Sequence, residues 1–162
     1  MAVATKTATR KKTSTKKPKN KYSKATYLKW YEVMVRVRRF EERALMAYSQ
    51  QKIRGFCHVY IGQEAITAGM ASALRPEDNV VTAYRQHGIA LSRGLSSKSC
   101  MAELYGRADG CVSGKGGSMH FFSKELNYFG GNGIVGAQIP ICLLYTSPSP
   151  RDATLSRMPS SA

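Results

Sequence analysis

Val80-Val81-Thr82-Ala83-Tyr84-Arg85-Gln86-His87-Gly88 is the stretch on which the fold turns. Asp78-Asn79 before it reads as a turn, and the β-branched start and aromatic end of residues 80–84 suit a buried sheet strand. In open α/β sheets ligands bind beyond the carboxyl ends of strands, so Tyr84 and Arg85 stand where a site belongs. A phenol and a planar guanidinium there suit a diphosphate or a carboxylate, the guanidinium bidentately. An arginine that is only solvated or structurally paired is the plainer alternative.

Helix signals flank this strand. Glu64, Ala65, Ala68, Met70 and Ala71 predict a helix over about 63–74, stopped by Pro76. Ser96 or Ser97 caps another through Met101, Leu104 and Tyr105. Further upstream, Ser23 is an N-cap for a long amphipathic helix whose stripe is Trp30, Met34, Val37, Phe40, Ala44 and Tyr48, with Arg36, Arg39 and Glu42 off it. Gly55 breaks that helix.

Downstream the chain turns glycine-rich. Gly131-x-Gly133-x-x-Gly136 satisfies the dinucleotide fingerprint as written, but that pattern binds phosphate only when it follows a strand and opens a helix. Asn127-Tyr128-Phe129-Gly130 reads as a poor strand, so a dinucleotide site is not expected. Two readings stay open: a turn without a ligand, or a loop whose glycines let backbone groups approach another cofactor. Gly110-Cys-Val-Ser-Gly114-Lys115-Gly116 is one residue short of a P-loop and has no Ser or Thr after the lysine. The three histidines, His58, His87 and His120, each adjoin a loop or glycine-rich turn, where imidazole can serve as acid, base or donor. For any one of them taken alone a structural role is the plainer reading.

Composition narrows the classes. The chain has 162 residues, 43% of them apolar, enough for at most one ordinary core. Its formal charge of +15 is concentrated at the start: ten lysines and arginines, from Lys6 to Lys29, precede the first acid, Glu32, leaving +5 for the remainder. Residues 1–22 are therefore expected to be a disordered, solvated basic tail rather than a nucleic-acid module, since they offer neither a recognition helix nor a base-stacking aromatic set. A targeting segment is the alternative. Its lysine-rich, Pro18-containing sequence lacks the apolar face of a mitochondrial transit peptide. No apolar run approaches the roughly 18 residues of a membrane span, and no membrane association is expected. Cys57, Cys100, Cys111 and Cys142 show no C-x-x-C spacing, which argues against a zinc site or disulfide framework and for reduced thiols in the cytoplasm.

After Pro140 the character changes. Cys142 to Asp152 resembles the translation of a common transposase sequencing adapter, and Ser156 to Ala162 the flow-cell sequence that follows its index. Residues 141–162 are therefore expected to be adapter read-through, left out of fold reasoning, with a native disordered tail as the alternative.

Four blocks now stand together: Ile53-Arg-Gly-Phe-Cys-His58 running into Gly62-Gln-Glu-Ala65; Thr82-Ala-Tyr-Arg-Gln-His-Gly88; Gly114-Lys-Gly-Gly-Ser-Met-His120; and Gly130-Gly-Asn-Gly-Ile-Val-Gly-Ala-Gln-Ile-Pro140. In order, and over residues from about Tyr27 to Pro140, they resemble the alpha subunit of the dehydrogenase (E1) component of pyruvate dehydrogenase complexes. Branched-chain 2-oxo-acid dehydrogenases lack the pairing of the last two blocks, and acetoin dehydrogenases come close to it.

The resemblance implies a doubly wound α/β fold that binds thiamine diphosphate, residues 23–140 being the N-terminal part of that domain, truncated. It implies thiamine-diphosphate-dependent oxidative decarboxylation of pyruvate, with transfer of the acetyl unit to a lipoyl group. By the same resemblance Tyr84 and Arg85 hold the diphosphate, and Gly133 and Val135 present backbone groups to the aminopyrimidine. His58 faces the reacting centre and hydrogen-bonds pyruvate, and His120 and Ser123 line the entrance, His120 as a second catalytic candidate. The implied partners are a beta subunit, in an alpha2beta2 heterotetramer, and a lipoyl acyltransferase. The implied compartment is the bacterial cytoplasm, or the mitochondrial matrix should the basic start be a transit peptide. The family's magnesium ligands lie beyond Pro140 and are missing, so the 162-residue product is expected to be inactive alone.

Overall fold

The computed structural model describes residues 21–141. The expectations for the basic tail and the adapter-like end fall outside these residues, apart from positions 21, 22 and 141. The element order is α1 (Lys24–Ser49), α2 (Glu64–Ala73), β1 (Val80–Ala83), α3 (His87–Ser92), α4 (Ser97–Leu104) and β2 (Tyr128–Asn132).

Ser23 caps α1 as its sequence predicts: its hydroxyl accepts from the Thr26 N–H at 3.2 Å. The face that α1 buries is Val37, Phe40, Ala44 and Ala47, and fully burying a Val or Phe side chain contributes about 1.5–3 kcal/mol. Tyr48, expected on this stripe, is exposed and Ala47 takes its place. The helix stops at Ser49, before Gly55, with Gln51 in the left-handed region at φ 57°.

Packed on α1 are α2, α3 and α4. Between α1 and α2 the indole N–H of Trp30 donates to the Ser72 hydroxyl, and Arg38 Nε donates to Glu64 at 2.6 Å. The helix α3 was not foreseen. It has only six residues and contains Gly88, which packs so tightly that a Cβ there would stand 2.6 Å from the Tyr60 ring.

Strands β1 and β2 pair in parallel, Val80 opposite Tyr128 and Ala83 opposite Asn132. Residues 127–130, read as a poor strand, thus contribute to a real one, which corrects that expectation. Between Val80 and Thr82 the register slips by one residue, and Gly130 in β2, at φ +89°, supplies the conformation such a bulge needs. The pairing partner, rather than local propensity, makes the strand. Arg93, just past α3, ties the approaches to both strands: its guanidinium donates to the carbonyls of Arg75, Pro76, Asp78 and Leu126 at 2.8–3.0 Å. The result is a small α/β domain with a short parallel sheet. Among the described residues no helix is long and apolar enough to cross a membrane.

Candidate functional site

Parallel pairing brings the carboxyl ends of β1 and β2 side by side, and the Tyr84 N–H donates to the Asn132 carbonyl at 2.8 Å. From one tip project Tyr84 and Arg85, from the other Gly133 and Val135. Arg85 is exposed and lies at φ 64°, left-handed backbone that costs a non-glycine residue on the order of 1–3 kcal/mol. Its Nη1 donates to the Val59 carbonyl at 2.7 Å, which leaves its other N–H groups outside that bond.

That bond draws residues 57–59 over the tip of β1. The His58 ring lies 4.6 Å from that of Tyr84 between centroids, with Phe56 stacked on it at 6.2 Å. The His58 N–H donates to Ser118 Oγ at 2.9 Å. Cys57 beside it is half-buried; burial pushes its thiol up, the negative charge of Glu41 adds to that, and a hydrogen bond with Ser118 opposes it.

His120 Nδ1 donates to the Gly131 carbonyl at 2.9 Å, so this exposed ring stands against the last part of β2. Val135 is 72% exposed, and a Cβ on Gly133 would meet only Met119 Sδ at 3.7 Å, so the backbone there is open to approach. By contrast, Gly131 is closed off: a Cβ would stand 2.5 Å from Gln86 Oε1. Tyr84, Arg85, His58, His120, Gly133 and Val135 are thus gathered at one end of the sheet. Ser123 is not: it bridges to Tyr128, at the opposite end of β2, and its hydroxyl donates to Glu125. Among the described residues no group of three or more His, Cys, Asp or Glu stands close enough to hold a metal.

Beneath the site lies a polar network that sequence reading missed. Glu41, Gln86 and His87 are all 0% exposed. Glu41 accepts from His87 Nδ1 at 2.9 Å, and the Tyr128 hydroxyl donates to Gln86 Oε1 at 2.7 Å while its own acidity is lowered by burial. A signal for Glu41 was present, since position 41 lies four after Val37 and three before Ala44 on the buried face. A second buried carboxylate, Glu103, accepts the N–H groups of Val112, Gly114 and Gly116 at 2.7–2.8 Å and of Gly117 at 3.3 Å. The loop that falls short of a P-loop thus wraps its amides around an anion of its own chain. Cys57, Cys100 and Cys111 are free thiols. Cys100 and Cys111, eleven positions apart in sequence, interact as a pair, which raises the Cys100 thiol and lowers that of Cys111.

Comparison with known proteins matches residues 32–145 to the family described as Dehydrogenase E1 component. The pyruvate dehydrogenase E1 component subunit alpha of Zymomonas mobilis is 56% identical over 115 residues, 70% of this chain and 32% of that protein. Its counterpart in Rhizobium meliloti is 53% identical over 120 residues, 74% of this chain and 34% of that one. The somatic mitochondrial form of Homo sapiens is 53% identical over 114 residues, 70% and 29%. The chain spans about a third of the length of the curated relatives it matches. Its paired strand tips and the blocks that build them all fall within the matched span, and the chain belongs to the dehydrogenase E1 component family.

Proposed function

We propose that this chain supplies part of a thiamine-diphosphate site in the alpha subunit of an enzyme that oxidatively decarboxylates pyruvate and passes the acetyl unit to a lipoyl group. The observation that carries the reading is the meeting of two parallel strand tips, one bearing an exposed guanidinium and a phenol, the other an open glycine backbone. The donor set fits such a ligand at both ends. Tyr84 and the uncommitted N–H groups of Arg85 would hold the diphosphate, and the backbone at Gly133 and Val135 would meet the aminopyrimidine. When bound, the cofactor supplies a carbon nucleophile and an electron sink. His58, held against Tyr84, would donate to the substrate oxygen, and His120 would stand at the entrance. Ser123, at the far end of β2, has no part in this reading.

The proposal extends to a doubly wound sheet of which β1 and β2 are two strands, and to magnesium ligands contributed from outside the described residues. A beta subunit in an alpha2beta2 assembly and a lipoyl acyltransferase would complete the reaction. The relatives' shared name, subunit alpha of pyruvate dehydrogenase, favours pyruvate over branched-chain 2-oxo acids or acetoin.

The test uses the complete subunit assembled with its beta partner. Arg85→Ala should weaken thiamine diphosphate binding by about tenfold or more in a magnesium-containing titration, since a charge-assisted hydrogen bond contributes about 1.5–3 kcal/mol. An unchanged dissociation constant would overturn the assignment, and faster turnover of a branched-chain 2-oxo acid than of pyruvate would overturn the substrate.

A further inference from the structure

Ser118 is 4% exposed, yet its hydroxyl meets two separate parts of the chain. His87 Nε2 lies 2.9 Å away, and the His58 N–H donates to it at 2.9 Å. His87 is itself held: Nδ1 is 2.9 and 3.1 Å from the two oxygens of Glu41, Phe121 stacks on the ring at 5.0 Å and Phe40 meets it edge-on at 5.9 Å. Serine, histidine and glutamate linked this way imitate a nucleophilic triad, but all three are buried, so no substrate reaches the hydroxyl.

We propose that Glu41, His87 and Ser118 are positioning residues, a directional relay that holds His58 against Tyr84; the inference rests on the site reading given above. Glu41 is acceptor-only when ionised, so the imidazole proton goes to Nδ1. Nε2 has two oxygens of Ser118 beside it, Oγ at 2.9 Å and the carbonyl at 3.1 Å; the carbonyl has no proton to give, so an unprotonated Nε2 accepts from the Ser118 O–H. With its proton so directed, Ser118 Oγ offers a lone pair to the His58 N–H. The Ser118 carbonyl completes the set by accepting from Gln86 Nε2 at 3.3 Å.

Residues 57–59 belong to no helix or strand. Their polar anchors are the relay, at His58, and Arg85, at the Val59 carbonyl. Of these only the relay leads back into the core, to Glu41 in the middle of α1. A carboxylate on one helix thereby selects a tautomer, the tautomer selects a hydroxyl orientation, and the hydroxyl fixes the backbone that carries the His58 ring.

The test is nuclear magnetic resonance on the isotopically labelled chain, with no cofactor needed. In the wild type the His87 ring-nitrogen shifts should show a protonated Nδ1 and an unprotonated Nε2, and the His58 amide should be protected from hydrogen exchange. Ser118→Ala should reduce that protection by about tenfold, the equivalent of one net hydrogen bond, while amides in α1 keep theirs. Glu41→Gln, whose carbonyl oxygen still accepts from Nδ1, should retain most of the protection, and Glu41→Leu should not. A proton on Nε2 of the wild type, or a His58 amide indifferent to Ser118→Ala, overturns the relay. If Ser118→Ala does not fold, the wild-type tautomer and the contrast between the two Glu41 variants decide. In the assembled enzyme, Ser118→Ala should lower kcat and leave the cofactor dissociation constant unchanged. Failure of Arg85→Ala to weaken cofactor binding would sink the site reading while leaving the resonance result standing.

Discussion

A Cβ on Gly131 would stand 2.5 Å from Gln86 Oε1 and 2.7 Å from the Met119 carbonyl oxygen, and the latter, being backbone, cannot swing aside. Two residues on, a Cβ at Gly133 would make only an ordinary contact with Met119 Sδ. Gly131→Ala is therefore expected to destabilise the chain by about 1–3 kcal/mol, as overpacking does, and Gly133→Ala to shift it by less than about 0.5 kcal/mol. Urea denaturation of the pair checks this; equal midpoints would show that the closeness around Gly131 is relieved by small shifts. Both glycines look alike in the fingerprint spacing, and only the neighbours brought in by folding separate a packing glycine from an open one. Tyr84 and Arg85 were legible because a strand tip announces itself in its own residues. Glu41 was legible only in part: its place between Val37 and Ala44 puts it on the buried face, but nothing in the sequence names the partner, His87, that makes a buried acid there tolerable.

Elements differ in how they are held, and acids decide two cases. The loop of residues 112–117 has no strand or helix of its own, and its amides converge on Glu103 of α4. Glu103→Ala should cost at least about 3 kcal/mol, because each buried N–H left without a partner costs about 1–3 kcal/mol. Loss of less than about 1 kcal/mol in denaturant titration would mean water or a loop rearrangement replaces the carboxylate. The contact of α1 with α2 is pH-dependent. The hydrogen bond from Arg38 holds the Glu64 carboxyl below its ordinary value of 4.5, with lesser help from nearby backbone amides. A depressed acid stabilises the fold above its unfolded value, and that contribution disappears as pH falls through the depressed one. Between about pH 6 and pH 3 the wild type should thus lose more stability than Glu64→Gln, and parallel losses would exclude the link. Of the elements, α1, α2, α4 and β1 carry their own periodicity or caps. Strand β2 and helix α3 do not: one takes its shape from pairing with β1, the other from the close approach of Gly88 to Tyr60.

At the scale of the molecule, one end of the described chain is apolar without being covered. Ile134 is 74% exposed, Val135 72% and Ile139 57%, and they follow directly on β2. Two paired strands are a marginal sheet, and contiguous exposed apolar surface of this kind marks a face that further structure or a partner covers. The glycine-rich spelling of residues 130–136 hid this, because glycines lower local hydropathy while Ile134 and Val135 between them are exposed. The net charge of +15 opposes self-association, but ten of its lysines and arginines precede Glu32, far along the chain from this face. At moderate salt, where repulsion is screened, the patch should dominate. The purified chain is expected to bind an apolar fluorescent dye and to associate more as concentration rises. Ile139→Lys, which puts a charge on the patch without touching Tyr84, Arg85 or Gly133, should reduce both. If that variant binds dye and associates as the wild type does, the exposed surface responsible lies elsewhere, and the outer face of α1, where Leu28 and Tyr31 are 57% and 63% exposed, becomes the face to test.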